Sequence, residues 1–113
     1  MIFINTVNLL FVCSRNQWRS PTAENIYKLN QEFNVRSAGT EPSARIKLSE
    51  KMVIWADVIF VMEKKHKQRI MEKFGSTADA EKIVILDIPD EYQFMDEELI
   101  EEITTKVDYY LNC

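Results

Sequence analysis

At 113 residues the chain has the length of one domain, here residues 1–113, and is long enough to bury a core. Its apolar fraction of 46% and charged fraction of 28% are those of an ordinary globular protein. A formal net charge of −4 speaks against a nucleic-acid coat or a polybasic membrane patch, and no apolar run approaches the ~20 residues of a membrane span. The two cysteines, Cys13 and Cys113, stand at opposite ends and make no disulfide framework. Met1-Ile2-Phe3-Ile4-Asn5 lacks the basic start and small-residue cleavage site of a secretory signal. The expected setting is a reducing cytoplasm, with neither nucleic acid nor membrane as partner. Nothing in the pattern specifies an oligomeric state.

Along the chain, Asn8–Val12 reads as a buried strand, a short apolar run bounded by polar residues. Ser20 and Pro21 then suit an N-cap and a first helical turn, predicting a helix from Pro21 to about Gln31. Phe33–Ala38 alternates as a second strand and ends at Gly39. Thr40–Leu48 is a polar loop, and Ser49 caps a short helix carrying Met52, Val53 and Trp55. Asp57–Met62 is β-prone and apolar enough for a central parallel strand. Glu63–Phe74 is a charged helix with Ile70, Met71 and Phe74 inward and Gly75 as a stop. Lys82–Leu86 is the fourth strand, and Asp87–Met95 a loop. Asp96 caps a last helix whose Leu99, Ile103, Val107 and Tyr110 share one face. This β-α alternation predicts an α/β fold: one three-layer domain with a central four-stranded parallel sheet between helices. Ligands of such sheets bind beyond the carboxyl ends of the strands. Cys13, Gly39, Glu63 and Asp87 all follow strand ends.

The chemistry concentrates in Cys13-Ser14-Arg15-Asn16-Gln17-Trp18-Arg19-Ser20-Pro21. A strand delivers a thiol to the sheet edge just before a helix start, where backbone N–H groups and the helix dipole favour anions and hence the reactive thiolate. The same amides can hold phosphate oxygens. Transfer of a phosphoryl group needs charge neutralisation, an in-line nucleophile and a proton for the leaving oxygen. Cys13 can supply the nucleophile, and Arg19 a bidentate fork that lysine could not match. Arg15 reads either as solvent-exposed or as a contact for an anionic part of the substrate. Ser20 can hydrogen-bond the sulfur, and Asn16 can brace the loop. An aspartic acid on Asp87-Ile88-Pro89-Asp90-Glu91-Tyr92 can protonate a leaving group, and spacing alone does not rank Asp87 against Asp90. Tyr92 is a candidate pocket wall. His66, the only histidine, sits in Lys64-Lys65-His66-Lys67 and reads as part of a solvated helix face. With one histidine and no cysteine cluster, a zinc site is not expected.

These motifs resemble the low-molecular-weight protein tyrosine phosphatases, of which this chain looks like a short, divergent member. The resemblance rests on Leu10-Phe11-Val12-Cys13 through Arg19-Ser20-Pro21-Thr22-Ala23-Glu24, on Arg36-Ser37-Ala38-Gly39-Thr40, and on Ala56-Asp57-Val58-Ile59-Phe60-Val61-Met62. Asp90-Glu91-Tyr92, following Ile88-Pro89, resembles the family's Asp-Pro-Tyr or Asp-Pro-Trp segment with glutamate in place of proline, and the resemblance selects Asp90 as the general acid. The resemblance implies a phosphatase working without metal or cofactor. Cys13 would form a phosphocysteine, and Arg19 with the amides of Ser14 to Trp18 would hold the phosphoryl group. Ser20 would assist the thiolate, and Ser37 would brace the loop through Asn16. Arg15 stands where the family has a loop glycine, and Trp18 where many members have a second cysteine. The segment between Gly39 and Asp57 is shorter than in typical members and has no counterpart of their bracing histidine. The substrate implied is a phosphorylated protein or small molecule. Alternatives at this point are a non-catalytic phosphate- or phosphoprotein-binding module, which would need neither thiol nor acid, and an arsenate reductase, which needs further cysteines nearby. A phosphocysteine carrier would need neither the arginine nor the acid.

Overall fold

The computed structural model describes residues 6–112; the stretch Met1 to Asn5 and Cys113 lie outside them. Four strands, β1 (Val7–Cys13), β2 (Phe33–Gly39), β3 (Val58–Val61) and β4 (Ile83–Ile85), form one sheet in the order β2-β1-β3-β4. All three pairings are parallel. Four helices cover the sheet: α1 (Arg19–Tyr27), α2 (Glu50–Trp55), α3 (Lys64–Phe74) and α4 (Glu97–Leu111). This is the α/β architecture expected from the alternation of strand and helix patterns.

β1 is the spine. It pairs with β2 from Val7↔Phe33 to Cys13↔Gly39 and with β3 from Leu9↔Val58 to Val12↔Val61. Its pleat sends alternate side chains to opposite faces. Leu9, Phe11 and Cys13 join Ala23 and Tyr27 of α1 and Leu99, Ile103 and Val107 of α4 in one core. Leu10 and Val12 join Val53 of α2 and Ile70 and Phe74 of α3 in the other. Phe11 stacks on both Tyr27 and Phe60, with ring centroids 5.8 and 5.4 Å away. The Tyr27 hydroxyl donates to Asp108 Oδ1 at 2.8 Å and ties α1 to α4.

Several boundaries differ from the sequence expectation. α1 begins at Arg19, and Trp18 occupies the N-cap position without a side-chain cap. Ser20 therefore lies inside the helix and is not its cap; its hydroxyl is engaged by the sulfur of Cys13 instead. α1 also stops at Tyr27 rather than running to Gln31. Asn30 closes a turn there: its N–H donates to the Tyr27 carbonyl at 3.0 Å, and its Oδ1 accepts from Glu32 N–H at 2.9 Å. Such local side-chain bonding competes with helix continuation. β3 and β4 are shorter than Asp57–Met62 and Lys82–Leu86. Asp57 is drawn off to receive the Asn8 N–H on its carboxylate at 2.8 Å, and Lys82 closes a 3-10 turn. The caps at Ser49 and Asp96 are as expected: their side chains accept from Met52 N–H at 3.4 Å and from Glu98 N–H at 2.9 Å.

The order β2-β1-β3-β4 locates the functional crevice. The chain leaves β1 for β2 on one side and then crosses to β3 on the other. The carboxyl ends of β1 and β3 thus flank the point where the winding reverses, the usual ligand position in open parallel sheets. Cys13 ends β1, and Glu63 follows β3.

Candidate active site

Cys13 is 3% exposed and lies at the floor of a pocket of about 250 Å³. The loop behind it is held in a curl by Asn16, whose backbone φ is +57°. Asparagine tolerates this left-handed conformation better than most residues. The curl turns the Asn16 N–H toward the Cys13 sulfur at 3.3 Å. The Asn16 side-chain amide donates to Ser20 Oγ at 2.8 Å and to Ser37 Oγ at 2.9 Å. Ser37 in turn donates to Glu24 at 2.6 Å. Ser20 Oγ is thereby an acceptor on one side. Its single proton is left for the sulfur, 2.9 Å away, in preference to the Ala38 carbonyl at 3.4 Å. Two donors, the Asn16 N–H and the Ser20 hydroxyl, thus converge on Sγ.

Arg19 is 2% exposed. A buried guanidinium needs counter-charge and acceptors, and both are present: Nη1 donates to Glu63 Oε2 and, at 2.8 Å, to the Ile88 carbonyl. With Nη1 occupied, the Nε–Nη2 edge is the fork that remains for an anion, and Asp90 Oδ1 stands 3.7 Å from Nε. Burial pushes the Glu63 carboxyl up, but the hydrogen bond and charge of Arg19 outweigh it and hold the group below the ordinary carboxylate range.

The same pocket is lined by Ser14, Arg15, Gln17, Trp18 and Asp90. Most of the sequence candidates are therefore brought together around Cys13. Asn16, Ser20 and Ser37 form the buried layer beneath. Arg15 is largely exposed and pairs with Glu41 at 3.2 Å, on the pocket rim. Asp90 faces the pocket, whereas Asp87 does not line it.

Two expectations are corrected. Tyr92 is not a wall of this pocket. The Glu91 N–H bonds the Pro89 carbonyl at 3.0 Å, and past that turn Tyr92 packs on the core beside α4, in a separate depression with Glu98, Glu101 and Glu102. Trp18, 42% exposed, is the aromatic at the pocket. His66 is not on a solvated face but fully buried. Glu63 N–H donates to His66 Nδ1 at 3.0 Å in a capping box at the start of α3. Nδ1 is therefore an acceptor, the proton sits on Nε2, and Nε2–H donates to Ser14 Oγ at 2.9 Å. Burial, reinforced by the positive charge of Arg19, pushes His66 down to about 3, so the imidazole is neutral.

Sequence reasoning also missed the props of the loop. In the short segment after β2, Thr40 N–H bonds the Cys13 carbonyl at 3.0 Å, Glu41 N–H the Ser14 carbonyl at 2.9 Å, and Arg45 N–H the Arg15 carbonyl at 3.0 Å. Arg45 Nε adds a bond to the Asn16 carbonyl at 3.1 Å. These backbone bonds have no residue signature. Glu63 and His66 had one: an acidic residue at a strand end with histidine three positions on, the spacing of a capping pair.

Among the described residues, no group of His, Cys, Asp and Glu could hold a metal ion, and no helix is long and apolar enough to cross a membrane.

No protein-family model matches the chain. A protein-arginine-phosphatase of Bacillus subtilis (strain 168) is 31% identical, over 65% of this chain and 67% of that protein. Among solved structures, a low-molecular-weight protein tyrosine phosphatase from T. tengcongensis superposes with a TM-score of 0.77 at 22% identity, covering 95% of this chain and 99% of the other. Vibrio vulnificus Wzb in complex with benzylphosphonate gives 0.75 at 22% identity over 96% and 99%. A YwlE arginine phosphatase with a phosphorylated active-site serine gives 0.70 at 24% identity over 94% and 96%. The solved structures share the fold and the curated relative is similar in sequence over about two thirds of each chain: the chain belongs to the low-molecular-weight protein tyrosine phosphatase family of cysteine-based phosphatases.

Proposed function

We propose that the protein hydrolyses phosphomonoesters through a phosphocysteine, with Cys13 as nucleophile, Arg19 as phosphoryl clamp and Asp90 as general acid and base. One observation carries the reading: thiol, buried arginine and half-exposed carboxylate line a single pocket. In the first step the Cys13 thiolate attacks phosphorus, the ester P–O bond breaks, and the Asp90 carboxylic acid gives its proton to the leaving oxygen. The Nε–Nη2 edge of Arg19 and the loop amides take up the equatorial oxygens. In the second step water attacks phosphorus as the Asp90 carboxylate takes its proton. The P–S bond breaks, inorganic phosphate leaves, and Ser20 Oγ–H receives the returning thiolate charge.

The name of the curated relative favours a second reading, phosphoarginine. The bond broken would be P–N rather than P–O, with the thiol and arginine in the same parts.

The test is turnover of p-nitrophenyl phosphate and of phosphoarginine by wild type and Cys13→Ser. Hydrolysis of at least one substrate, abolished by Cys13→Ser, is expected. Wild type that binds inorganic phosphate but turns over neither would refute the catalytic reading and leave a phosphate-binding module.

A further inference from the structure

Phosphoryl transfer by Cys13, Arg19 and Asp90 leaves one hydroxyl of the pocket without a part. Ser14 follows Cys13 directly, lines the same pocket and is 7% exposed. Among the described residues its Oγ makes a single hydrogen bond, with His66 Nε2 at 2.9 Å.

A serine against a histidine has the form of a nucleophile and its base. The tautomer excludes that role. Glu63 N–H donates to His66 Nδ1 at 3.0 Å, so the one ring nitrogen able to accept a proton is already engaged, and Nε2 directs its proton at Ser14. His66 is fully buried beside the Arg19 cation, where an imidazolium is disfavoured. The ring therefore takes no proton from Ser14 and instead gives it a hydrogen bond. An oxygen that accepts on one side turns its own O–H away from that donor, and cooperativity between the two bonds strengthens the one it gives. With His66 on the α3 side of Ser14, the open direction for this O–H is the pocket.

A second set of bonds puts the hydroxyl beside the phosphoryl clamp. Glu63 fixes His66 with its backbone N–H and accepts from Arg19 Nη1 with its carboxylate. The same carboxylate receives the His66 N–H in the capping box. One residue at the end of β3 thus positions the imidazole and the guanidinium together.

From these contacts we propose that the Ser14 hydroxyl donates to an oxygen of the bound phosphoryl group, and that His66 is the positioning residue that aims it. The side chain adds a neutral donor to the loop amides and Arg19, and it is oriented before the substrate arrives. The equatorial oxygens are negative in substrate, transition state and product phosphate alike. The bond therefore tightens binding of all three more than it speeds the chemical step. The proposal rests on the phosphatase reading for the position of the phosphate.

The experiment is calorimetric titration of the full chain with inorganic phosphate, beside turnover of p-nitrophenyl phosphate. Ser14→Ala should weaken phosphate roughly tenfold or more and raise KM, with a smaller change in kcat. Ser14→Thr keeps a hydroxyl and should recover most of the loss. His66→Asn places an amide where Nδ1 stands, so it keeps a partner for Glu63 N–H but leaves Ser14 Oγ unreached. It should weaken phosphate roughly threefold or more, and no further loss should appear when it is combined with Ser14→Ala. His66→Gln, whose longer amide reaches Ser14 Oγ, should bind phosphate more tightly than His66→Asn. Urea midpoints establish that each variant is folded at the assay temperature. In a wild type that binds phosphate but turns over nothing, the same losses of affinity would keep the donor and discard the catalytic reading. Wild-type phosphate affinity in Ser14→Ala would overturn the proposal, as would a fall in kcat at unchanged affinity. Losses of Ser14→Ala and His66→Asn that add in the double variant would overturn the positioning role of His66, because the two residues would then act independently.

Discussion

His66 is a group whose charge state the fold dictates, and it gives a sharp test of the site's architecture. Its pKa falls from the ordinary 6.5 to about 3 because a buried imidazolium would lose its hydration beside the Arg19 cation. Between those two values the unfolded chain takes up a proton that the folded chain refuses. Stability contributed by this residue is therefore intact above pH 6.5 and is lost as pH falls toward 3. From pH 7 to pH 5 the loss is about 2 kcal/mol. Because the folded value lies well below 5, the figure hardly depends on where it lies. The perturbation is His66→Gln, which offers an amide N–H to Ser14 Oγ but takes up no proton. Urea unfolding of both proteins at pH 7 and pH 5, with m-values checked for equality, reads the difference. Wild type should lose about 2 kcal/mol more than His66→Gln between the two conditions. Equal losses would refute the argument, since they would mean that His66 titrates alike in both states and is not the neutral donor to Ser14. His66→Leu should destabilise at pH 7 by about 1–3 kcal/mol, because the part-buried Glu63 N–H and the buried Ser14 Oγ lose their partner.

Asp90→Asn should lower kcat on p-nitrophenyl phosphate by roughly 10²–10⁴-fold with little change in the inhibition constant of inorganic phosphate; Asp87→Asn should be near wild type, and the reverse pattern would reassign the acid. Glu63→Gln keeps an oxygen near Arg19 Nη1 but removes the counter-charge, so stability at pH 7 should fall by about 1–3 kcal/mol. The deficit should shrink in acid. The folded pKa of Glu63 is depressed, so the pair's contribution in wild type is itself lost as pH drops through that lowered value; a deficit constant with pH in urea titrations would contradict this. Gly39→Ala would set a Cβ 2.6 Å from both the Ala44 Cβ and the Ser14 carbonyl oxygen. The backbone under the loop from Cys13 to Arg19 must then move, at a cost of about 1–3 kcal/mol read as a lower urea midpoint, together with a lower kcat/KM.

The strand pattern was legible because each strand is a short apolar run broken by polar residues, and the loop from Cys13 to Arg19 was legible because its chemistry is contiguous. What escaped the sequence was relation across space. His66 looks like one more polar residue of a lysine-rich helix until α3 is laid against the end of β1, where its ring meets Ser14, 52 positions away in the chain. Tyr92 is close to Asp90 in sequence, but the turn at Pro89 separates their directions, and proximity in the chain misled. Ser20 has the right chemistry for a helix cap, yet the sulfur and Asn16 compete for the same hydroxyl and win, shifting the helix start to Arg19. The segment from Thr40 to Arg45 supports the loop after Cys13 mainly through main-chain bonds, for which side-chain identity gives no clue.

The alternation of β1 has a consequence for how this enzyme can vary. Cys13 points into the layer of α1, where Ser20 awaits it, while Ser14 is held from the other side of the sheet by His66 of α3. Strand pleating alone sorts Cys13 and Ser14 between two separate support systems. Loss or gain of one residue within Val7–Cys13 would exchange these sides, turning the thiol toward the histidine and the serine hydroxyl toward α1. Substitutions along β1 can be absorbed by repacking, whereas single-residue length changes cannot, so the hydrogen-bond register between β1 and its neighbours itself decides which layer holds the Cys13 thiol.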